Sequence, residues 1–418
     1  MRTSAASRML GLVGAALVVA LACGGSSSQS PQDTTPIKIG AINPYHGPTA
    51  KFGEDLVRGN QLAIDEVNAK GGVNGRKVEL VKGDATNALE GTQEVTRLAT
   101  EEKVDLFTGT YLSAVSTTAS ETANRYKKLY WDTNAVAQSL TDRNLPNFIR
   151  SGPAANNLAQ GAVDSIVKIA TVQLNKSAAQ VKVWLEHEDG PYGTSVKDGE
   201  KAQLTTLGYQ IVGVGSHSAA ATDLTDSVLR AQKTSPDVVA FVGYVPDSTL
   251  YMKKMREQNF NPPALILIGT GDTKETLDAL GAKYIEGIVV ISFPRPDIIN
   301  SAYAPGGLQY LDAYRKKYNQ DPAAPQTLSG YVGMKMLLEV VAKAGSTDID
   351  KVRKAAQGMD KPIGSYANGW GMKFDDHFQN IRAGMVEIQW QSGKQVTVLP
   401  EKARLPGTQV LPLARPTS

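Results

Sequence analysis

The sequence predicts an α/β protein of two doubly wound lobes, and three observations carry that expectation. The chain has 418 residues, enough for two or three domains. Short β-rich runs alternate with helical segments, the order that implies parallel sheets. The alternation comes in two sets, about 37–131 and 156–291, each too long to be a loop.

In the first set Ile37–Ile42 is strand-like and ends at a Gly/Pro turn over Asn43–Pro48. Glu54–Ala69 places Leu56, Ala63 and Val67 on one helical face before Gly71-Gly72 stops it. Val78–Val81 and Val104–Thr108 are strand-like, Glu90–Glu102 and Val115–Tyr126 helical, and Leu129–Trp131 enters another strand. The second set opens after Pro153 with a helix to about Leu174. Strands follow at 181–185, 209–214, 238–242, 265–268 and 287–291, with helices at 195–206, 224–232, 247–258 and 274–280 between them. Helical runs at 308–318 and 331–344 come next, then β-rich pieces at 385–390 and 395–399 and a Pro-rich tail expected to be loose. Ligand sites in such sheets lie beyond the carboxyl ends of strands, so the crevice between the lobes is the expected site.

The first residues form an address. Arg2 and Arg8 precede the apolar run Met9–Leu21, whose 13 residues are too few to span a bilayer. The run ends in Ala20-Leu21-Ala22-Cys23-Gly24, which resembles a bacterial lipobox, although Leu21 stands one place later than usual. Residues 1–22 are therefore expected to be a lipoprotein signal peptide. Cys23 becomes the lipidated N-terminus, and 23–36, rich in Gly, Ser and Pro, the tether to the membrane.

Composition and motifs exclude several functions. Lys plus Arg number 44 against 41 Asp plus Glu, which disfavours nucleic acid as a partner. A single cysteine rules out an intramolecular disulfide and a thiolate metal cluster. The histidines, His46, His187, His217 and His377, have no i+3 or i+4 pairing, and Asp375-Asp376-His377 is best read as a solvated turn. Neither a serine-nucleophile elbow nor a zinc-protease motif occurs, and Gly269–Lys274 lacks the spacing of a Walker loop. No cofactor, metal or catalytic residue is expected.

The string Ile39-Gly40-Ala41-Ile42, with Gly47-Pro48, Phe52-Gly53, Gly59 and Val67-Asn68-Ala69-Lys70-Gly71-Gly72-Val73-Asn74-Gly75, resembles the opening of type I periplasmic binding proteins. Within these it is similar to the leucine/isoleucine/valine-binding proteins of ABC importers, and the element order agrees from about Ile37 to Leu399. The resemblance implies lobes joined by three crossings and a ligand held in the cleft by hinge closure. Lobe one would comprise 37–155 plus 293–362, lobe two 156–292 plus 363–403, and 404–418 the tail.

The same resemblance implies the site. Ser113, which begins the helix after the third strand, would bind a ligand carboxylate, as a hydroxyl and free amides at a helix N-terminus can; a plain N-cap would call for the same residue type. Asn134, Ala135 and Val136 form the next contact loop, where Val136 lacks the family's hydroxyl but keeps its N–H. Tyr192 and Tyr244 would wall the site from lobe two, and Phe52 would pack on the ligand side chain. The family's ammonium-binding acid aligns with Gly271, so Asp272 fills that role only with a one-residue gap. The carboxylate half of the site is kept and the ammonium half left open. The implied protein is a monomeric, lipid-anchored, extracytoplasmic binding protein. It would deliver a small carboxylate, an amino acid or an aromatic or aliphatic acid, to an ABC permease; the alternative is a sensor of the same fold.

Overall fold

A computed structural model of the chain describes residues 34–413. The signal-like run, Cys23 and most of the tether lie outside the described residues. The first sheet holds β1 (Ile37–Asn43), β2 (Val78–Asp84), β3 (Leu106–Gly109), β4 (Tyr130–Asp132) and β5 (Phe148–Arg150). They are parallel, in the order β2-β1-β3-β4-β5. Its crossovers are α1 (Ala50–Ala69), α2 (Ala88–Thr100), α3 (Ser113–Arg125) and the short α4 (Ser139–Asp142).

The chain then enters a helix, α5 (Ala155–Ser165), which continues through a π turn at Ile166–Ala170 into α6 (Thr171–Leu174). Beyond it lie β6 (Lys182–Glu188), α7 (Pro191–Thr206), β7 (Gln210–His217), α8 (Thr225–Lys233), β8 (Val238–Val242), α9 (Val245–Glu257) and β9 (Ala264–Ile268). After these come α10 (Lys274–Leu280), α11 (Ala282–Ile285) and β10 (Val289–Ser292). Three helices return to the first lobe's side, α12 (Gly307–Tyr318), α13 (Gln326–Ala344) and α14 (Ile349–Gln357), and the hairpin β11 (Val386–Gln391) and β12 (Lys394–Leu399) completes the second sheet. Its order is β12-β11-β10-β9-β8-β6-β7, parallel except for the hairpin. Every residue of β8 and β9 is buried, as helices on both faces of a parallel sheet require.

Helix α13 lies along α1, and the contact is tight. A Cβ on Gly59 would stand 2.2 Å from the Thr327 carbonyl oxygen. Buried Asp55 of α1 accepts hydrogen bonds from the Tyr314 hydroxyl (2.8 Å), from the amides of Ala323 (2.6 Å) and Ala324 (3.1 Å), and from Thr327. These bonds fix the point at which α13 begins.

The two lobes meet through backbone pairing as well as packing. The Arg150 amide donates to the Phe378 carbonyl (3.0 Å), and the Asn380 amide donates to the Arg150 carbonyl (2.9 Å), so the first crossing runs beside residues 376–381. Asp375 accepts the amides of His377 and Gln379, making the Asp375–His377 string a turn of that segment.

Several element bounds depart from the sequence expectation. Helix α13 starts at Gln326, five residues early, because its first turn is held by Asp55 and not by apolar periodicity. Helix α7 starts at Pro191, with Pro in the first turn where its missing N–H costs nothing. Strand β5 and helix α14 were not expected, β5 being only three residues long. The tail is tied down over 409–413: the Leu411 carbonyl accepts from the side chains of Gln173 and Gln389, and the Leu413 amide donates to Gln173.

Gly59→Ala is expected to lower unfolding free energy by about 1–3 kcal/mol in urea titration, since the methyl must push α13 away. Gly384→Ala, whose Cβ would meet nothing within 4 Å, is the control and should change it by less than about 0.5 kcal/mol.

Candidate ligand-binding site

A cavity of about 340 Å³, open solvent included, lies where the strand ends of both sheets converge. The connection after β3 supplies Tyr111 and Ser113, and the loop after β4 supplies Asn134 and Val136. From the second sheet come Tyr192 after β6, Tyr244 after β8, Gly269 after β9 and Phe293 after β10. Only Leu158 of α5 and Gln326 of α13 are contributed from elsewhere. The lobes touch around it: the Tyr111 and Tyr244 ring centroids are 5.7 Å apart, the Gln138 amide donates to Ser195 Oγ (3.1 Å), and Lys51 pairs with Glu275.

Ser113 is the first residue of α3, and the position before it, Leu112, is the N-cap. The hydroxyl does not cap its own helix. It accepts the Ala137 amide (3.2 Å), which leaves its proton free to donate into the cavity. Asn134 Oδ1 lies 2.6 Å from Ser329 Oγ, and with that hydroxyl donating to it the amide nitrogen is the end left for a ligand. The Val136 carbonyl is engaged by the Ala155 amide (2.7 Å), and its side chain is an apolar wall. Tyr192 is buried in the first turn of α7, its hydroxyl donating to the Ile268 carbonyl (2.7 Å); it is no surface turn. Its ring lies 5.3 Å from that of Tyr244.

Four expected contacts lie outside the lining. Phe52 stands behind Tyr111, stacked at 5.1 Å and 6°, so it buttresses the wall. Ala135 points its peptide into the lobe, the amide to Asp132 (3.0 Å) and the carbonyl to Arg150 (3.3 Å). The Gly271 carbonyl accepts the Trp390 indole N–H (2.9 Å). Asp272 is buried and accepts the Ser292 hydroxyl (2.6 Å), its carboxyl raised by burial although Ser292 and Arg295 oppose the shift. Tyr111, Leu158, Gly269, Phe293 and Gln326 were missed. Three of them share a positional signal: Tyr111, Gly269 and Phe293 each follow a strand end.

No lining residue carries a charge, yet buried charges frame the cavity on both sides. In lobe one Asp132 accepts the amides of Asn134 (3.1 Å) and Ala135 and the Ser116 hydroxyl. Fully buried Arg150 donates to the carbonyls of Ala135 and Ala137 (2.7 Å), to Thr141 (3.2 Å) and to Gln379. In lobe two His217 lies between Glu186 and Asp247, 3.0 Å from each, and Asp247 accepts the Tyr244 amide (2.7 Å). Burial opposes the His217 charge, but the two carboxylates prevail and push its pKa up to about 9. Glu188 accepts the amides of Gly190 (2.7 Å) and Gly193. Burial, reinforced by the field of these carboxylates, pushes up the phenols of Tyr111, Tyr192 and Tyr244, so all three are neutral.

The sequence pattern of the periplasmic binding proteins matches residues 36–395. A Leu/Ile/Val-binding protein homolog of Brucella suis is 35% identical over 370 residues, 88% of this chain and 92% of its own. The chain belongs to the periplasmic binding protein family, with the Leu/Ile/Val-binding proteins. The fold agrees with that of a leucine-binding protein from Thermotoga maritima, with a TM-score of 0.75 and 22% identity, covering 88% of this chain and 99% of the other. It also agrees with that of a solute-binding protein from R. palustris solved with benzoate, with a TM-score of 0.73 and 20% identity over 90% of this chain and 99% of the other. The fold expectation stands: this is a two-lobed periplasmic binding protein. Among the described residues no helix is long and apolar enough to cross a membrane.

Two consequences of the charged frames are measurable. Arg150→Met leaves the carbonyls of Ala135 and Ala137 without their donors and removes the positive field that opposes the rise of the Asp132 carboxyl. It should cost about 2–5 kcal/mol in urea unfolding and speed amide exchange across residues 133–137. The raised His217 pKa means stability that is full below pH 6.5 and is lost as pH rises through 9. Unfolding free energy should fall by up to about 3 kcal/mol over that window, and His217→Asn should flatten the profile.

Proposed function

We propose that this protein is the extracytoplasmic capture component of an ABC importer, lipid-anchored through Cys23, and that its ligand is a small carboxylic acid without an α-ammonium group. It performs no chemistry. Ligand draws the lobes together about the three crossings, and the permease reads the closed form. Lobe one is taken as 37–155 plus 293–362 and lobe two as 156–292 plus 363–403.

The observation that carries the ligand class is a lining of neutral hydrogen-bond donors with no carboxylate. The Ser113 hydroxyl and the Asn134 amide, with the neutral phenols of Tyr111 and Tyr244, can meet a carboxylate's lone pairs. A buried ammonium would need an acidic partner, and a poorly paired charge costs several kcal/mol. The nearby carboxylates are engaged by the chain's own donors: Asp247 by His217 and Tyr244, Glu188 by two glycine amides, Asp272 by Ser292. The rings of Tyr111, Tyr192, Tyr244 and Phe293, with Val136 and Leu158, suit an apolar or aromatic body. The benzoate of the R. palustris protein is a ligand of that kind.

The test is a thermal-shift screen of protein unfolded and refolded to strip carried-over ligand, followed by calorimetry on the hits. Carboxylic acids should raise the melting temperature. Ser113→Ala should weaken the best of them about 5- to 150-fold, the equivalent of one lost hydrogen bond to a charged group. An unchanged dissociation constant, or no stabilising acid, would refute the assignment.

A further inference from the structure

Resting on that reading and narrowing it, we infer that Gln326 is a ligand-contacting, specificity-determining residue. It receives a neutral hydrogen-bond donor that the ligand carries in addition to its carboxylate, a hydroxyl or a carboxamide N–H.

Gln326 lines the cavity and is 5% exposed, and its Oε1 is buried without a hydrogen-bond partner among the described residues. Buried side-chain acceptors are ordinarily paired, and one left alone carries its full desolvation penalty. Relief by retreat is blocked. Gln326 is the first residue of α13, and that end of the helix is clamped to Asp55 through the amides of Ala323 and Ala324 and the Thr327 hydroxyl. The main chain at Gln326 is close-packed as well, its carbonyl 2.8 Å from Ser329 Oγ, whose single proton is shared between that carbonyl and Asn134 Oδ1. Gln326 is thus fixed in place on the cavity wall that Asn134 also lines, with an unpaired side-chain acceptor to offer a donor from within the cavity.

The chemistry of that donor follows from the rest of the lining. The other polar groups there, Ser113, Asn134 and the two phenols of Tyr111 and Tyr244, are suited to donating, and they serve the carboxylate. An ammonium donor would bring a charge that one neutral amide cannot balance. A hydroxyl or carboxamide brings none. A site built to receive a donor discriminates strongly against the analogue that lacks it, because the acceptor is then left unpaired.

The experiment titrates refolded protein with matched pairs: benzoate against 4-hydroxybenzoate, phenylacetate against its 3- and 4-hydroxy forms, and butanoate against 4-hydroxybutanoate and succinamate. Wild type should bind the donor-bearing member of its best pair at least tenfold tighter. Gln326→Leu and Gln326→Met should bind both members of that pair within about threefold of each other, with the donor-free acid losing little affinity. Two variants guard against one that fails to fold, with melting temperature as the check. Equal binding of both members by wild type, or a variant that keeps the preference, overturns the role of Gln326 while leaving the carboxylate assignment intact. Failure of every acid in the panel to bind wild type overturns that assignment and this inference with it.

Discussion

A guanidinium with no access to water must be satisfied by its own chain, and much of this molecule is arranged around one that is. Arg150 ends the fifth strand of the first sheet, fully buried. Its side chain holds the carbonyls of Ala135 and Ala137, and through Gln379 it reaches the segment that pairs with its own backbone at the crossing between lobes. With Asp132 gripping the amides of the same loop, the residues that face the ligand are fixed from both ends of the peptide. The loop's shape and its link to the crossing are therefore set by two buried groups, the Arg150 guanidinium on its carbonyls and the Asp132 carboxyl on its amides. Leaving such buried hydrogen-bonding groups unpaired is costly, so they specify one geometry.

The second lobe repeats the arrangement with other residues. Glu186, His217 and Asp247 form a buried row of charges whose last member holds the Tyr244 amide. Between the two frames the cavity surface is uncharged. This division of labour explains how a region dense in buried ionisable groups presents neutral donors and aromatic rings to its ligand. The aromatic series from Phe52 through Tyr111 and Tyr244 to Tyr192 crosses from one lobe to the other, so the contact between lobes beside the cavity is apolar and brings no charge to the ligand.

The architecture was legible because parallel strands buried on both faces are short apolar runs, as at 238–242 and 264–268, and because Gly and Pro mark their ends. Ser113, Asn134, Val136, Tyr192 and Tyr244 could be located because each follows a strand end at a position that a family resemblance points to. Phe52, Ala135, Gly271 and Asp272 could not be judged in the same way: whether a residue near a strand end faces the cavity or the protein interior depends on its partners, here Tyr111, Arg150, Trp390 and Ser292. Gln326 left no trace in the sequence. Its helix begins in a polar, glycine-containing turn, and what places it is a hydrogen-bonded carboxylate more than 250 residues away in the chain, on Asp55. Three-residue β5 and the early start of α7 were hidden by length and by a proline that reads equally well as a turn.

The uncharged lining between two engaged charged frames is the centre of this account, and the amine is the group that tests it. The decisive measurement is isothermal titration of refolded protein with leucine and with 4-methylpentanoate, and likewise with phenylalanine and with 3-phenylpropanoate, at pH 7. In each pair that binds, the acid without the amine is expected to bind the more tightly. Tight binding of an amino acid whose amine-free partner fails to bind would mean that one of the buried carboxylates, Asp272 foremost, turns to the ligand, and would contradict the account.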